Sequence, residues 1–429
     1  MFILFLIVFI DLVGFGIVIP LLPFYGEHFH ADPFTVSLIM ATYSLGQFIA
    51  APFWGRMSDT IGRRPVLILS LFGAVLSYIW LGFATTLWML FAARLVGGLM
   101  AGNISTAFAY IADITTVENR AKGMGLVGAA FGLGFIAGPA IGGILAGPDP
   151  LTADFQTPAF VAASLSFVAF VLTLMLLKES LSAEARSRSA NTPRPNRWLQ
   201  MQEAMKRPGI GLLITISFLA TFVFAGMETT FAMWSRRQLG WGPEQNGYLF
   251  AFIGIIAAIL QGGAVGRLAK KFGEGNLIVQ GAIALALGMA MIPFCTSVGP
   301  LLLAMVIVAY GFSVINPALN SLISLRTDSS EQGMMMGVAR SATTMARVIG
   351  PAWAGILFAQ LGKEWPYYAG MVLMVLVAYL GIRSLKDNQA AKAVALENAR
   401  QENTRLENAE LESANGAPLD DEDRSAQVD

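Results

Sequence analysis

Apolar residues along this chain neither alternate nor recur as single helical stripes. They come in runs of roughly 20, the length that crosses a hydrocarbon core about 30 Å thick, and short clusters of charge, glycine and proline separate the runs. Read from those breaks, spans fall near residues 2–24, 35–55, 65–84, 88–112, 122–147, 157–177, 209–234, 245–265, 275–294, 300–324, 333–358 and 366–383. Continuous runs of this length predict helices, because strands of a membrane barrel would be about ten residues long and alternate in polarity. The expectation is an all-α polytopic membrane protein with twelve transmembrane helices. The first run starts at Phe2 without a basic stretch or a small-residue cleavage site, which predicts a retained span rather than a signal peptide.

Charge gives the direction. Of the 28 Lys and Arg, Arg236, Arg237 and Lys363 fall in one set of loops and Arg94, Arg340 and Arg347 inside spans; the others lie on the side of both termini. The positive-inside rule then places both termini in the cytoplasm. Composition agrees, with 55% apolar and 13% charged residues against about 25% charged in a soluble domain. A net charge of zero gives no footing for nucleic acid, and the single cysteine, Cys295, excludes an intrachain disulfide. His28 and His30, beside Glu27, suit a wet turn better than a metal pair. The expected organisation is a six-helix bundle over 1–178, a flexible cytoplasmic linker over 179–208 centred on RSRSANTPRPNR, a second six-helix bundle over 209–385, and a cytoplasmic polar helix with an acidic tail over 386–429.

The halves echo one another. GFIAGPAIGG in span five corresponds to RVIGPAWAG in span eleven, so that Gly138-Pro139 answers Gly350-Pro351, and GRMSDTIGR at Gly55 is answered by GRLAKKFGE at Gly266. Two matches at nearly one offset predict an internal repeat and two pseudo-symmetric bundles, with substrate bound between them near the midplane. The first of the loop copies is GRMSDTIGRRP. Three arginines, Arg56, Arg63 and Arg64, suffice as an inner-interface anchor. The glycines Gly55 and Gly62 and the acid Asp59 ask for more: a tight turn, and a hydrogen-bond acceptor for guanidinium groups or a helix N-terminus. The second copy has Lys270 in place of Asp59, so a symmetric latch is not expected.

These residues carry a resemblance. GRMSDTIGRRP resembles the loop 2–3 signature of the major facilitator superfamily, through Gly55, Asp59, Gly62, Arg63 and Arg64. RLVGGLMAG from Arg94 resembles its span-four signature and GFIAGPAIGG, with Gly138 and Pro139, the span-five signature of its antiporters. DLVGFGIVIPLLP from Asp11 is similar to the start of the tetracycline-exporter branch of the twelve-span drug:proton antiporters. The resemblance implies a major facilitator fold, export, and a loop 2–3 latch that closes the cytoplasmic side partly through the connection ADITTVENRAKG, with Asp113, Glu118 and Arg120 as local partners.

An ionised group inside a span is expensive unless it faces a cavity or a partner. Glu228, deep in span seven, is the first candidate for proton coupling, the alternative being a structural acid paired with Arg236 or Arg237. Asp11 is the second, the alternative being an orienting role in span one, and Arg94 is a candidate partner for either acid. Arg340 and Arg347, seven residues apart, share one face of span eleven. Tyr43, Gln47, Asn103, Asn316, Asn320 and Arg340 are candidate polar contacts for a substrate, and Phe222, Phe231 and Trp234 apolar ones; each has the alternative of ordinary interhelical packing. The chain has no GxxxxGK[ST] loop, no GxGxxG between a strand and a helix and no HExxH, so an enzyme is not expected, and no cofactor or metal either. The expected function is secondary active export of a small amphipathic or aromatic molecule from a bacterial inner membrane in exchange for protons, by a monomer in contact with lipids whose tail is open to a further partner. Uptake or lipid flipping by the same fold, and a non-transporting receptor or scaffold, are the alternatives.

Overall fold

The computed structural model describes residues 1–191, 197–207, 209–328 and 331–385; the polar helix and acidic tail expected over 386–429 lie outside the described residues. Helices α1 (Phe2–Val18) and α2 (Leu22–His28) form the first span, followed by α3 (Pro33–Thr60) and α4 (Arg63–Gly82). The fourth span is broken into α5 (Leu87–Leu99) and α6 (Asn103–Ile114), and α7 (Val117–Ala146) and α8 (Gln156–Leu176) complete the first bundle. The second bundle contains α11 (Ile210–Leu239), α12 (Pro243–Ile259), which runs through a π-helical turn into α13 (Val265–Phe272), then α14 (Glu274–Met291), α15 (Val298–Leu325), α16 (Gln332–Leu361) and α17 (Trp365–Leu385). Eleven spans among the described residues are long and apolar enough to cross a membrane. The twelfth expected span is α16, whose 30 residues reach about 45 Å at 1.5 Å per residue. Arg340, Arg347 and neighbouring Ser, Thr and Gly keep it less apolar, and it packs against α11 and α3.

The linker departs from expectation. It holds two helices, α9 (Ala183–Asn191) and α10 (Arg197–Lys206), rich in good helix formers. Arg207, just after α10, donates to both carboxylate oxygens of Glu331, the N-cap residue of α16. That hydrogen bond holds the Glu331 carboxyl below its ordinary range, so its contribution is complete above the usual Glu value and fades as pH falls below it.

The repeat is visible in the backbone contacts. A β-carbon built on Gly138 of α7 would lie 2.6 Å from the Cα of Gly16 in α1, and one built on Gly350 of α16 would lie 2.5 Å from the carbonyl oxygen of Phe222 in α11. Gly16 faces Gly134 and Gly138, as Gly226 faces Gly350 and Ala354. Span one thus meets span five as span seven meets span eleven, at distances only glycine allows.

Two pairs make most of the contact between the bundles, α7 with α12 and α3 with α16. Away from the termini these pairs are tight. A β-carbon on Gly247 would stand 2.4 Å from the carbonyl oxygen of Pro139, and one on Gly254 3.0 Å from that of Phe135. Pro139 has no N–H, so the Phe135 carbonyl has lost its helical donor, and Gly254 lets α12 cover it. A β-carbon on Gly355 would meet Ser37 at 2.5 Å. Toward Met1 the contact fades: a β-carbon on Gly132 would find its nearest neighbour, the Ala258 Cβ, at 3.7 Å, and β-carbons on Gly125, Gly128, Gly262, Gly263, Gly333 and Gly337 would meet nothing within 4 Å. The bundles are closed at one end and diverge at the end that holds Met1 and Leu385.

Substituting Gly138 by Leu is expected to destabilise the protein by about 3 kcal/mol through overpacking against α1, whereas Gly128→Leu on the same helix leaves the detergent melting curve nearly unchanged. Equal losses from both would contradict the close α1–α7 approach.

Candidate functional site

At the open end, Gly62 adopts φ +116° as the N-cap of α4, a conformation that favours glycine. A side chain there would also collide with the Glu179 carboxylate, 2.3 Å from its β-carbon. Glu179, just after α8, accepts from the backbone N–H groups of Arg63 at 2.9 Å and Arg64 at 3.1 Å, filling an N-terminal cap that Gly62 has no side chain to provide. Arg63 is buried and donates to Asp59 at 2.5 Å, Ser58 at 2.9 Å and Asp113 at 2.9 Å. Arg64 donates to the Leu174 carbonyl at 2.7 Å. Gly55 lies half-buried near the end of α3, and Arg56 is exposed. All these contacts belong to the first bundle and the segment after it, so the cluster fastens spans two, three, four and six together. The side chains of Glu118 and Arg120 lie outside the described residues. In the second copy Lys270 is exposed near the end of α13.

The break in span four builds a second site. Ser70 donates to the Met100 carbonyl and accepts from Gly102 N–H at 3.0 Å, while Trp54 Nε1 donates to the Leu99 carbonyl at 2.6 Å. Backbone groups freed at membrane depth are thereby satisfied. Asn103, the first residue of α6, donates to one carboxylate oxygen of Asp11, and Ser166 of α8 donates to the other at 3.3 Å. Asp11 is buried. It lines a small pocket with Asn103, Ile104, Leu67 and Leu71. Arg94 is buried as well; its guanidinium lies 4.4 Å over the Tyr43 ring and its Nε has no hydrogen-bond partner. Among the described residues it forms no ion pair with Asp11 or Glu228.

Glu228 instead faces Arg347 of α16 at 3.4 Å. Arg340, two turns earlier on the same helix face, is exposed and lies 5.7 Å over the Phe108 ring of α6 in the opposite bundle. Gln47 and Asn316 are half-buried on α3 and α15, and Asn320 is exposed. Phe222 packs on Trp353 at 4.8 Å between ring centres. Phe231 and Trp234 are completely buried in the core of the second bundle, where Trp234 meets Tyr367 edge-on.

The suggested pairing of Glu228 with Arg236 or Arg237 is not what the structure shows. Both arginines, at the end of α11, reach Glu27 of α2: Arg236 at 2.6 Å to one carboxylate oxygen and Arg237 at 2.8 Å to the other. The Glu27 side chain is only 8% exposed, and Arg237 also stacks 5.0 Å over Phe358. This triad bridges the two bundles at their closed end. Sequence reasoning missed Glu27, although two of only three outer basic residues needed an acid. It also missed Glu179 and Ser166, whose partners lie more than a hundred residues away and leave no short-range signal.

Two six-span bundles related by an internal repeat, meeting at one end over a crevice that holds an ion pair, define the carrier architecture of membrane proteins. The chain belongs to the Major Facilitator Superfamily, whose family model matches residues 4–328 and 265–415. It is 31% identical over 390 residues to the tetracycline resistance protein, class B, of Escherichia coli, covering 89% of this chain and 94% of that one. It is also 31% identical over 390 residues to multidrug resistance protein 2 of Bacillus subtilis, covering 90% and 95%. Among solved structures, the human organic anion transporter MFSD10 (TETRAN) superposes with a TM-score of 0.66 at 24% identity over 88% of this chain and 98% of that one. The D-xylose-proton symporter reaches 0.71 at 17% identity, over 89% and 96%. These superpositions show the fold alone.

Replacing Glu179 by Ala is expected to cost about 1 kcal/mol, the worth of a lost N-cap, and to lower the detergent melting temperature. A melting curve identical to that of the wild type would show that the α4 N-terminus finds its acceptor elsewhere.

Proposed function

We propose that this protein is a proton-coupled exporter of amphipathic or aromatic small molecules, working by alternating access in a bacterial inner membrane with both termini in the cytoplasm. The names of its relatives, a tetracycline resistance protein and a multidrug resistance protein, support export. The concentration of basic residues in the loops on the side of the termini supports the orientation. The observation that carries the reading is the crevice itself, closed at one end by Gly247, Gly254 and the Glu27 triad and open at the other. In that orientation the described conformer loads from the cytoplasm.

Coupling follows from two acids that sit in different surroundings. Glu228 on α11 attracts Arg347 on α16 only while ionised, so a proton there weakens a contact between two helices that line the crevice. Asp11 accepts from Asn103 and Ser166, joining spans one, four and six. Protonation removes its charge and one acceptor site, loosening the tie to the broken span. Each proton thus changes how firmly helices hold together, and a carrier with two packings shifts between them when such ties change.

In proteoliposomes with an imposed pH gradient, the wild type is expected to drive substrate uphill. Asp11→Asn and Glu228→Gln are each expected to lower gradient-driven flux by about tenfold or more, equivalent to about 1.4 kcal/mol, while downhill exchange persists. Unchanged gradient-driven flux in both variants would refute the assignment.

A further inference from the structure

The ionisable groups inside the spans do not balance. Arg94, Arg340 and Arg347 are cations; Asp11 and Glu228 are the acids at the same depth, since Asp113 at the end of α6 is engaged by Arg63 and Ser180 in the loop cluster. Glu228 serves Arg347, and Asp11 is held by Asn103 and Ser166. Three positive charges therefore stand against at most two negative ones. Protonating either acid enlarges the excess, so no protonation state of the carrier removes it.

The excess is local to Arg340. Arg94 is buried against Tyr43 within the first bundle, whereas Arg340 is exposed on a face of α16 where β-carbons built on Gly337 and Gly333, one and two turns nearer the open end, would meet nothing within 4 Å. Among the described residues Arg340 has no carboxylate partner; its one contact across the crevice is the face of Phe108, 5.7 Å away. A cation held at membrane depth without a counter-charge is costly, and this one keeps its hydrogen-bonding edges free. A guanidinium fork matches a carboxylate, sulfonate or phosphate with two parallel hydrogen bonds, and the adjoining aromatic ring suits an apolar body.

We infer that the crevice takes amphipathic organic anions and discriminates against amphipathic cations, with Arg340 binding the anionic group. This rests on the transport reading above and names the substrate class it leaves open. Arg340 is then a specificity-determining residue, and a cationic substrate would set a second positive charge beside it with no acid to offset either.

The test uses the full purified chain in an uncharged detergent and two xanthene dyes of similar frame, fluorescein as anion and tetramethylrhodamine methyl ester as cation, with binding read by fluorescence polarisation. Fluorescein is expected to bind at least about tenfold more tightly, a difference of about 1.4 kcal/mol. Arg340→Gln is expected to remove that preference and Arg340→Lys to keep part of it, with melting curves showing that both variants are folded. A short-chain phosphatidic acid, added as competitor, separates the sources of the anion: displacement of fluorescein assigns the site to a lipid phosphate, and failure to displace assigns it to a soluble anion, either of which supports the inference. Equal or tighter binding of the cation, or fluorescein binding unaffected by Arg340→Gln, would overturn it. Flux of the same dyes in vesicles keeps the two readings apart. An anion that binds through Arg340 without being moved refutes transport alone, and a cation moved in preference refutes the substrate class alone.

Discussion

Charge inside hydrocarbon must find a partner, water or a use, and most of this structure answers to that constraint. Arg63 takes three acceptors, Arg347 takes Glu228, Arg94 takes the face of Tyr43, and the backbone broken at Met100–Gly102 takes Ser70 and Trp54. The same constraint makes the residues left over informative. Arg340 alone among these cations stands in the open crevice with an aromatic face and no acid.

Against that background the two bundles are alike in scaffold and unlike in chemistry. Gly138 and Gly350 make the same backbone approach in each half, as the repeat requires. The polar groups are divided unequally: the first bundle holds Asp11 in a hydrogen-bonded nest, while the second holds Glu228 against an arginine on the crevice wall. The loop cluster is likewise one-sided, with Asp59, Arg63 and Asp113 knotted together in the first copy and an exposed Lys270 in the second. A symmetric frame thus carries an asymmetric set of polar contacts.

Much of the frame was legible in the chain because it depends on long, local signals. Runs of apolar residues mark the spans, and the GP pairs mark the repeat; even α16, the least apolar span, was found from its breaks. The helices α9 and α10 were hidden by a composition rich in Ser, Arg and Pro, although their short stretches favour helix. The site was legible only in part, since a residue's type shows that it needs a partner but not which one. For Arg236 and Arg237 the acid within short range, Glu228, lies eight and nine residues earlier on the same helix, about 12 Å along its axis and out of reach, whereas Glu27, the acid they meet, lies more than two hundred residues earlier. Glu179 and Ser166 escaped for the same reason. Phe231 and Trp234 show the converse, that an aromatic residue in a span reads alike whether it faces a crevice or a core.

Alternating access in this fold requires the bundles to rock about their interface, the Glu27 triad holding the closed end shut while the other end stands open. The direct measurement is the distribution of distances between spin labels in a Cys295→Ser background, with one pair across the open end at positions 128 and 262 and another across the closed end at positions 151 and 294. Glu27→Gln removes the charge that holds both arginines. This variant is expected to lengthen the closed-end distance and shorten the open-end one together, relative to the wild type. Distances that stay at their wild-type values, or that lengthen at both ends, would contradict it.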